Sequence, residues 1–131
     1  MRLRICFERI YLAGSDVFLP DSFRFCKIKI TLRSLAFNAL SPFDSNIPID
    51  PIRNLELARK IFLGNIELIQ RANFVLENCN PFRGAFVDDG TAFEIGYAFS
   101  LGKKIYGYTK SILPLPEIVK KNVGLFPHST G

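Results

Sequence analysis

Two carboxylates stand six residues apart around a Gly-Thr turn in this chain. Asp88 precedes the turn and Glu94 follows it, within the run Asp-Asp-Gly-Thr-Ala-Phe-Glu-Ile-Gly-Tyr-Ala that ends at Ala98. An apolar stretch at 73–76 and a turn-rich stretch at 78–84 precede this segment. We therefore expect a strand to end and a helix to begin here. Ligands of open α/β sheets bind at that edge. Two carboxyls at short range suit a retaining glycosyl transfer, in which one is the nucleophile and the other polarises or orients.

A purely structural interpretation competes for Glu94. The segment from Thr91 to Glu94 fits the capping-box pattern, in which the Thr side chain bonds a backbone amide at the helix start and the Glu reaches back to the cap. Such boxes are common, and these four residues by themselves favour the capping role. Asp88 supports the catalytic interpretation, because an acid at a strand end and a glutamate on the first helical turn can face one pocket.

The elements that would position these carboxylates alternate along the chain. Short apolar runs predict strands at 9–14, 36–40, 73–76 and 104–108. Apolar residues at steps of three and four predict helices at about 21–35, 51–71 and 91–101, and one or two helical turns at 117–122. This alternation predicts an α/β fold, with a parallel sheet of four to five strands covered on both faces.

Length and composition indicate one domain over residues 1–131. The chain is 48% hydrophobic and 22% charged, and a chain of this size buries roughly two thirds of its unfolded surface. Its three cysteines lack metal-ligand spacing, which argues against a disulfide framework or a structural zinc site. No stretch approaches the ~20 apolar residues of a membrane span. We therefore expect a soluble, untargeted protein of the cytoplasm.

The formal net charge of +5 does not by itself indicate a nucleic-acid or membrane partner. Lys and Arg are spread along the chain, with lysine doublets only at 103–104 and 120–121. This distribution favours solvated charged faces over a polynucleotide groove. The positive charge is compatible with small anionic ligands.

Four blocks of the sequence, taken in order, resemble the nucleoside 2-deoxyribosyltransferase family. They are Ile10-Tyr11-Leu12-Ala13-Gly14, Val17-Phe18-Leu19-Pro20-Asp21, Pro81-Phe82-Arg83-Gly84 and the run from Asp88 to Gly96. The resemblance covers about residues 10–108. It implies a flavodoxin-like three-layer α/β/α fold, usually assembled into homo-oligomers, and an activity in nucleotide salvage. That activity exchanges the base of a 2'-deoxyribonucleoside for a free purine or pyrimidine, with no metal or organic cofactor.

The resemblance also implies three catalytic roles. Glu94 matches the family's nucleophile, which attacks the anomeric carbon, expels the base and forms a deoxyribosyl ester that a second base opens from the same face. A modest nucleophile suffices, because a 2'-deoxy sugar lacks the hydroxyl that opposes an oxocarbenium-like transition state. Tyr11 matches a strand-end tyrosine that holds the nucleophile, and Asp88 matches the aspartate that binds the sugar. A core aromatic and a turn-forming residue are the competing interpretations of these two.

Further substrate contacts are predicted on the long helix and the loops. Asn65 stands where some family members carry an aspartate that manages protonation near the departing base, and an asparagine cannot donate as a general acid. Protonation would then fall to solvent or to the base, while Asn65 hydrogen-bonds the ligand or a neighbouring loop. The other predicted substrate-binding residues are Gly14, Phe18, Asp44, Asn46 and Arg83. Among these, Phe18 is expected to stack on the base, and Asp44 and Asn46 are expected to recognise it. The competing interpretations are that Phe18 packs in the core and that Asp44 and Asn46 form ordinary turns.

The sequence departs from the family pattern in two places. Ser15 replaces a common proline, and residues 124–127 read Gly-Leu-Phe-Pro where the family usually has a Gly-Leu-Pro-x-Asn-Leu-Met-like segment. That segment offers an asparagine to the neighbouring subunit's sugar site, so its loss predicts a shortened C-terminal part. Two alternatives therefore stay open: an N-glycosidase, in which water resolves the ester, and an impaired nucleotide-binding remnant. The phosphate-binding loop Gly-Ser-x-Arg-Gly, which would favour the glycosidase, is absent.

Overall fold

Strands and helices alternate throughout the computed structural model, which describes residues 7–15, 23–44 and 54–123. The strands are β1 (Glu8–Ala13), β2 (Phe37–Leu40), β3 (Phe74–Asn78) and β4 (Lys104–Tyr108). The helices are α1 (Phe23–Ser34), α2 (Leu55–Arg71), α3 (Asp89–Ser100) and α4 (Leu115–Val123), and a short 3₁₀ turn at Pro42–Asp44 follows β2. The alternation predicted from the apolar pattern is confirmed.

All four strands of the described sheet are parallel, in the order β2-β1-β3-β4. Tyr11 at the centre of the sheet pairs with Leu40 on one side and Val75 on the other, and Val75 in turn pairs with Ile105. The order reverses direction between β1 and β3, which is the switch point where doubly wound sheets bind ligands. The predicted α/β fold is therefore confirmed, and its open crevice lies beyond the ends of β1 and β3.

Helices cover both faces of this sheet. On one face, Ile10, Leu12 and Ala39 form a cluster with Ile28 and Leu32 of α1. On the other face, Tyr11, Ala13 and Val75 pack with residues of α2 and α3, among them Leu68, Ile69 and Ala98. Successive residues of β1 point to opposite faces, so one short apolar strand supplies both clusters. The arrangement has three layers, α/β/α.

Several element ends differ from their predicted positions, for local reasons. β2 begins at Phe37 rather than at 36, because Ala36 has a φ of 64°. β3 runs on to Asn78, two residues beyond the predicted end, through hydrogen-bonded pairing with β4. α2 is capped by Asn54, whose side chain accepts from the Leu57 amide at 2.8 Å. The predicted helix start at 51 lies outside the described residues.

Candidate active site

Glu94 receives hydrogen bonds from two other elements. The Tyr11 hydroxyl of β1 donates to Glu94 Oε1 at 3.0 Å, and the Asn65 amide of α2 donates to the same oxygen at 3.1 Å. Glu94 lies in the second turn of α3, so its carboxylate points back over the sheet at the switch point. Three residues that are far apart in sequence, all predicted as site residues, are thus brought together.

The environment of Glu94 shifts its ionisation toward neutral pH. Burial raises its pKa from 4.5 to about 7; the hydrogen bonds from Tyr11 and Asn65 oppose this rise, and the negative charges of Asp88 and Glu77 add to it. A carboxyl with a pKa near 7 is more basic than an exposed glutamate, yet is substantially ionised at neutral pH. Glu94 is therefore suited to act as a nucleophile or a base.

Tyr11 remains a hydrogen-bond donor at all ordinary pH values. Its side chain is fully buried, and burial together with the negative charge of Glu94 raises the pKa of Tyr11 far above its usual value of 10. Tyr11 lies two residues before the end of β1, inside the apolar cluster against α2 and α3. It combines the two roles that the sequence left open, since its ring packs in the core while its hydroxyl holds Glu94.

Asp88 is the N-cap of α3, so the competing capping-box interpretation of the segment from Thr91 to Glu94 does not hold. The Asp88 side chain accepts from the Thr91 amide at 3.1 Å and also from the Thr91 hydroxyl. The helix therefore begins at Asp89, two residues before the predicted start, because the aspartate satisfies the first free amides. Glu94 lies too far along the helix to reach back to this cap and is bound instead by Tyr11 and Asn65.

Asp44 is held by contacts within its own part of the fold. Its carboxylate accepts from Lys29 of α1 at 2.6 and 2.8 Å and from the Ser41 amide at 2.7 Å. Burial by itself would raise the pKa of Asp44, but the hydrogen bonds from Lys29 and Ser41 outweigh it and lower that pKa. Asp44 thus ties α1 to the end of β2, and its predicted contact with the base stays a prediction.

Gly14 is required by the close approach of two strand ends. It has a φ of 147°, and a Cβ added there would lie 2.7 Å from the Asn78 Cβ. Arg83, with a φ of 52°, places its guanidinium 5.1 Å from the centre of the Phe82 ring. Phe18 and Asn46, the other two predicted binding residues, lie outside the described residues.

Comparison with known proteins identifies the family. A sequence profile described as Nucleoside 2-deoxyribosyltransferase matches residues 10–127. The chain belongs to the nucleoside 2-deoxyribosyltransferase family. The match confirms the resemblance inferred from the four sequence blocks and extends it beyond β4.

Three relatives show how similar this deoxyribosyltransferase-family chain is to other proteins in sequence and in structure. An uncharacterized protein of Schizosaccharomyces pombe is 31% identical over 114 residues, which are 85% of this chain and 54% of that protein. The chain therefore spans about half the length of this curated relative. A 2-desoxiribosyltransferase from Leishmania mexicana is 29% identical with a TM-score of 0.68, covering 84% of this chain and 69% of the other.

The third relative shows the fold alone. It is a 2-deoxyribosyltransferase from Bacillus psychrosaccharolyticus, 24% identical, with a TM-score of 0.67 over 87% of this chain and 81% of the other.

Within the described ranges, no group of three or more His, Cys, Asp or Glu side chains could hold a metal ion. None of the described helices is long and apolar enough to cross a membrane.

Sequence reasoning missed one charged residue of this deoxyribosyltransferase-family site. Glu77, which follows the apolar residues Phe-Val-Leu in β3, is buried, and its charge acts on Glu94. The available signal was a glutamate at an inward position of a buried strand, which is unusual unless the group is paired or functional. Reading that signal required the pairing of β3 with its neighbours.

Proposed function

We propose that this protein transfers a 2-deoxyribosyl group between nucleobases, through a covalent ester on Glu94 and with retention at the anomeric carbon. The observation that carries the proposal is the convergence of Tyr11 and Asn65 on Glu94 at the β1/β3 switch point, in a member of this family. The similar chain from Leishmania mexicana, named as a 2-desoxiribosyltransferase, supports the same activity.

In the proposed first step, the ionised Glu94 attacks the anomeric carbon. Tyr11 and Asn65 both hold Oε1, so Oε2 is the oxygen that forms the new bond. The bond from the anomeric carbon to the base nitrogen breaks, its electron pair leaves with the base, and solvent protonates the base. A second base then attacks the same carbon, its N–H proton passes to solvent, and Glu94 leaves as a carboxylate. Two inversions at one carbon give net retention.

Asn65 is proposed to contact the ligand as well as Glu94. Its Nδ2 donates to Glu94, while its Oδ1 is buried and has no hydrogen-bond partner among the described residues. A buried acceptor without a partner is costly, and a ligand N–H or O–H would satisfy it. Asp88 is proposed to bind a sugar hydroxyl with the lone pairs that its capping bonds leave free.

A homo-oligomer is part of the same proposal, as is a cytoplasmic role in nucleotide salvage. A row of aromatic rings runs along α2 and α3, in which Phe62 lies 5.2 Å from Phe93 and Phe93 lies 6.1 Å from Tyr97, which packs against the core. Phe62 and Phe93 are each almost half exposed, and Phe93 directly precedes Glu94. A second copy covering this row would lie beside the nucleophile. Sedimentation of Phe62→Ser, compared with Ile112→Ser on the loop after β4, tests this: only the Phe62 variant should dissociate.

Base exchange tests the activity itself. The purified protein is incubated with deoxyinosine and adenine, and deoxyadenosine, hypoxanthine and free deoxyribose are separated by chromatography. Formation of deoxyadenosine supports the transferase. Deoxyribose without deoxyadenosine would replace it with an N-glycosidase, and no product from a folded sample that binds nucleosides would replace it with a binding remnant.

A matched pair of variants assigns the activity to Glu94. Glu94→Gln keeps the side-chain shape and removes the nucleophile, so base exchange should fall by roughly 10³-fold or more. Glu67→Gln makes the same change on the exposed surface of α2 and should leave the rate unchanged. Equal rates for the two variants would contradict the role of Glu94.

A further inference from the structure

Glu77 is a buried carboxyl that the proposed reaction does not use. Only 6% of the residue is exposed. In the sheet it pairs with Ala13 of β1 and Gly107 of β4, so its side chain lies on the same face as Tyr11, the face covered by α2 and α3. It is one pleat closer than Val75 to the edge of the sheet at which ligands of such folds bind.

The described surroundings of Glu77 accommodate a carboxyl and supply no positive charge that pairs with it. The Cys79 thiol donates to Oε1 at 3.5 Å, while Oε2 is buried and has no hydrogen-bond partner among the described residues. None of the salt bridges within the described ranges involves Glu77. Gly107 provides the space for this pair, since a Cβ there would lie 2.6 Å from Cys79 Sγ and 3.7 Å from Glu77 Oε1.

A carboxyl in this position is costly for the fold. An unpaired oxygen in a buried site loses its hydration without a replacement, and replacing the group by an apolar residue of similar size is often neutral or stabilising. The contacts among the described residues therefore give no reason for a glutamate at this position. Its place in the sheet does give one: Glu77 follows Val75, the partner of Tyr11, on the face from which the Tyr11 hydroxyl binds Glu94, and its negative charge acts on Glu94.

We propose that Glu77 is a positioning residue, a third carboxyl beside Asp88 and Glu94 whose ionisation sets the charge around the nucleophile. The inference rests on the proposed function, in which Glu94 must be ionised to attack. Glu77 does not touch the substrate in this account; it acts through Glu94.

The direction of the effect follows from the groups that face Glu94. They are Tyr11 from β1, Asn65 from α2, Asp88 at the start of α3 and Glu77 from β3. Burial raises the pKa of Glu77, and the hydrogen bond from Cys79 opposes that rise. Burial and the charge of Glu77 raise the pKa of Cys79, so the thiol stays a neutral donor. Glu77 is thus one of two carboxyls, with Asp88, whose negative charge raises the pKa of Glu94.

The test compares wild-type protein with Glu77→Gln and with the surface control Glu67→Gln. The carboxyl ¹³C resonance of Glu94 is followed from acid to alkaline pH, together with kcat/KM for base exchange. In Glu77→Gln the nearby negative charge is gone, so Glu94 should ionise at lower pH. At about pH 6, below the Glu94 pKa of about 7, this variant should therefore keep a larger fraction of its maximal kcat/KM than wild type does. Glu67→Gln should match wild type.

The inference is overturned if, in a folded Glu77→Gln protein, Glu94 titrates at the same pH as in wild type and kcat/KM rises with pH over the same range. If Glu77→Gln does not fold, Cys79→Ala serves instead. Loss of the thiol donor should raise the pH at which Glu77 ionises, so less negative charge faces Glu94 and Glu94 should ionise at lower pH. A Glu94 titration that stays in place while that of Glu77 moves would equally overturn the inference. A wild-type protein without activity would contradict the proposed function alone, because the ¹³C titration still tests the coupling.

Discussion

At the scale of single residues, the site depends on a carboxylate that ionises near neutral pH. Burial raises the pKa of Glu94 to about 7, and the two hydrogen bonds to Oε1 moderate that rise. Only the ionised form can attack the sugar, so kcat/KM should increase as pH rises through about 7. The same burial that makes Glu94 a stronger base thus limits its activity in acid.

Tyr11→Phe should move this acid limb to higher pH. The substitution removes the hydroxyl that donates to Glu94 at 3.0 Å, and that bond lowers the pKa of Glu94. We expect kcat/KM to fall by roughly 10–100-fold at neutral pH, since the carboxylate also loses its orientation. Tyr97→Phe is the control, because its hydroxyl accepts from Gln70 at 2.8 Å rather than donating to Glu94. The same pH profile for both variants would contradict the role of Tyr11.

At the scale of elements, the close approach of β1 and β3 requires a glycine. Gly14→Ala places a Cβ 2.7 Å from Asn78 Cβ at a φ of 147°, so we expect a loss of roughly 2–4 kcal/mol in the free energy of unfolding. Gly96→Ala in α3, where nothing lies within 4 Å of the new Cβ, should instead stabilise by about 0.5–1 kcal/mol. Urea unfolding measures both; a tolerated Gly14→Ala would show that the strand ends can separate.

The first turn of α3 should link stability to activity. Asp88→Ala removes the N-cap of α3, and Asn54→Ala removes the N-cap of α2, so each should cost about 1 kcal/mol of stability. Only Asp88→Ala should also reduce kcat/KM, because Asp88 lies near Glu94 and is proposed to bind the sugar. Unfolding curves and base-exchange rates test the pair. Full activity in Asp88→Ala would leave Asp88 with the capping role alone.

The elements were predictable from sequence, but their ends and partners were only partly so. The four strands are short apolar runs between turns, and such runs carry their own signal. The true cap of α3 was missed because Thr91 and Glu94 match the capping-box pattern. The residue that caps the helix is Asp88, three residues before Thr91. The family pattern pointed to Glu94 and Tyr11. Glu77 was out of reach, because its position beside Gly107 depends on the register of β3 with β4.

At the scale of the whole molecule, the raised pKa of Glu94 links stability to pH. The folded state binds the proton more tightly than the unfolded chain, whose glutamate has a pKa near 4.5. The corresponding stability is fully present below pH 4.5 and is lost as pH rises through about 7. We expect wild type to lose roughly 3 kcal/mol relative to Glu94→Gln over this range. Parallel curves of unfolding free energy against pH for the two proteins would contradict the burial of Glu94.

The central claim is a deoxyribosyl ester on Glu94, and mass spectrometry of peptides from the acid-quenched protein tests it most directly. Wild-type protein is mixed with deoxyinosine without an acceptor base, quenched in acid and digested. The account predicts a mass increase of one deoxyribosyl group on the peptide that contains Glu94, lost when adenine is added before the quench. Base exchange without such an adduct, or an adduct that persists in Glu94→Gln, would contradict the account.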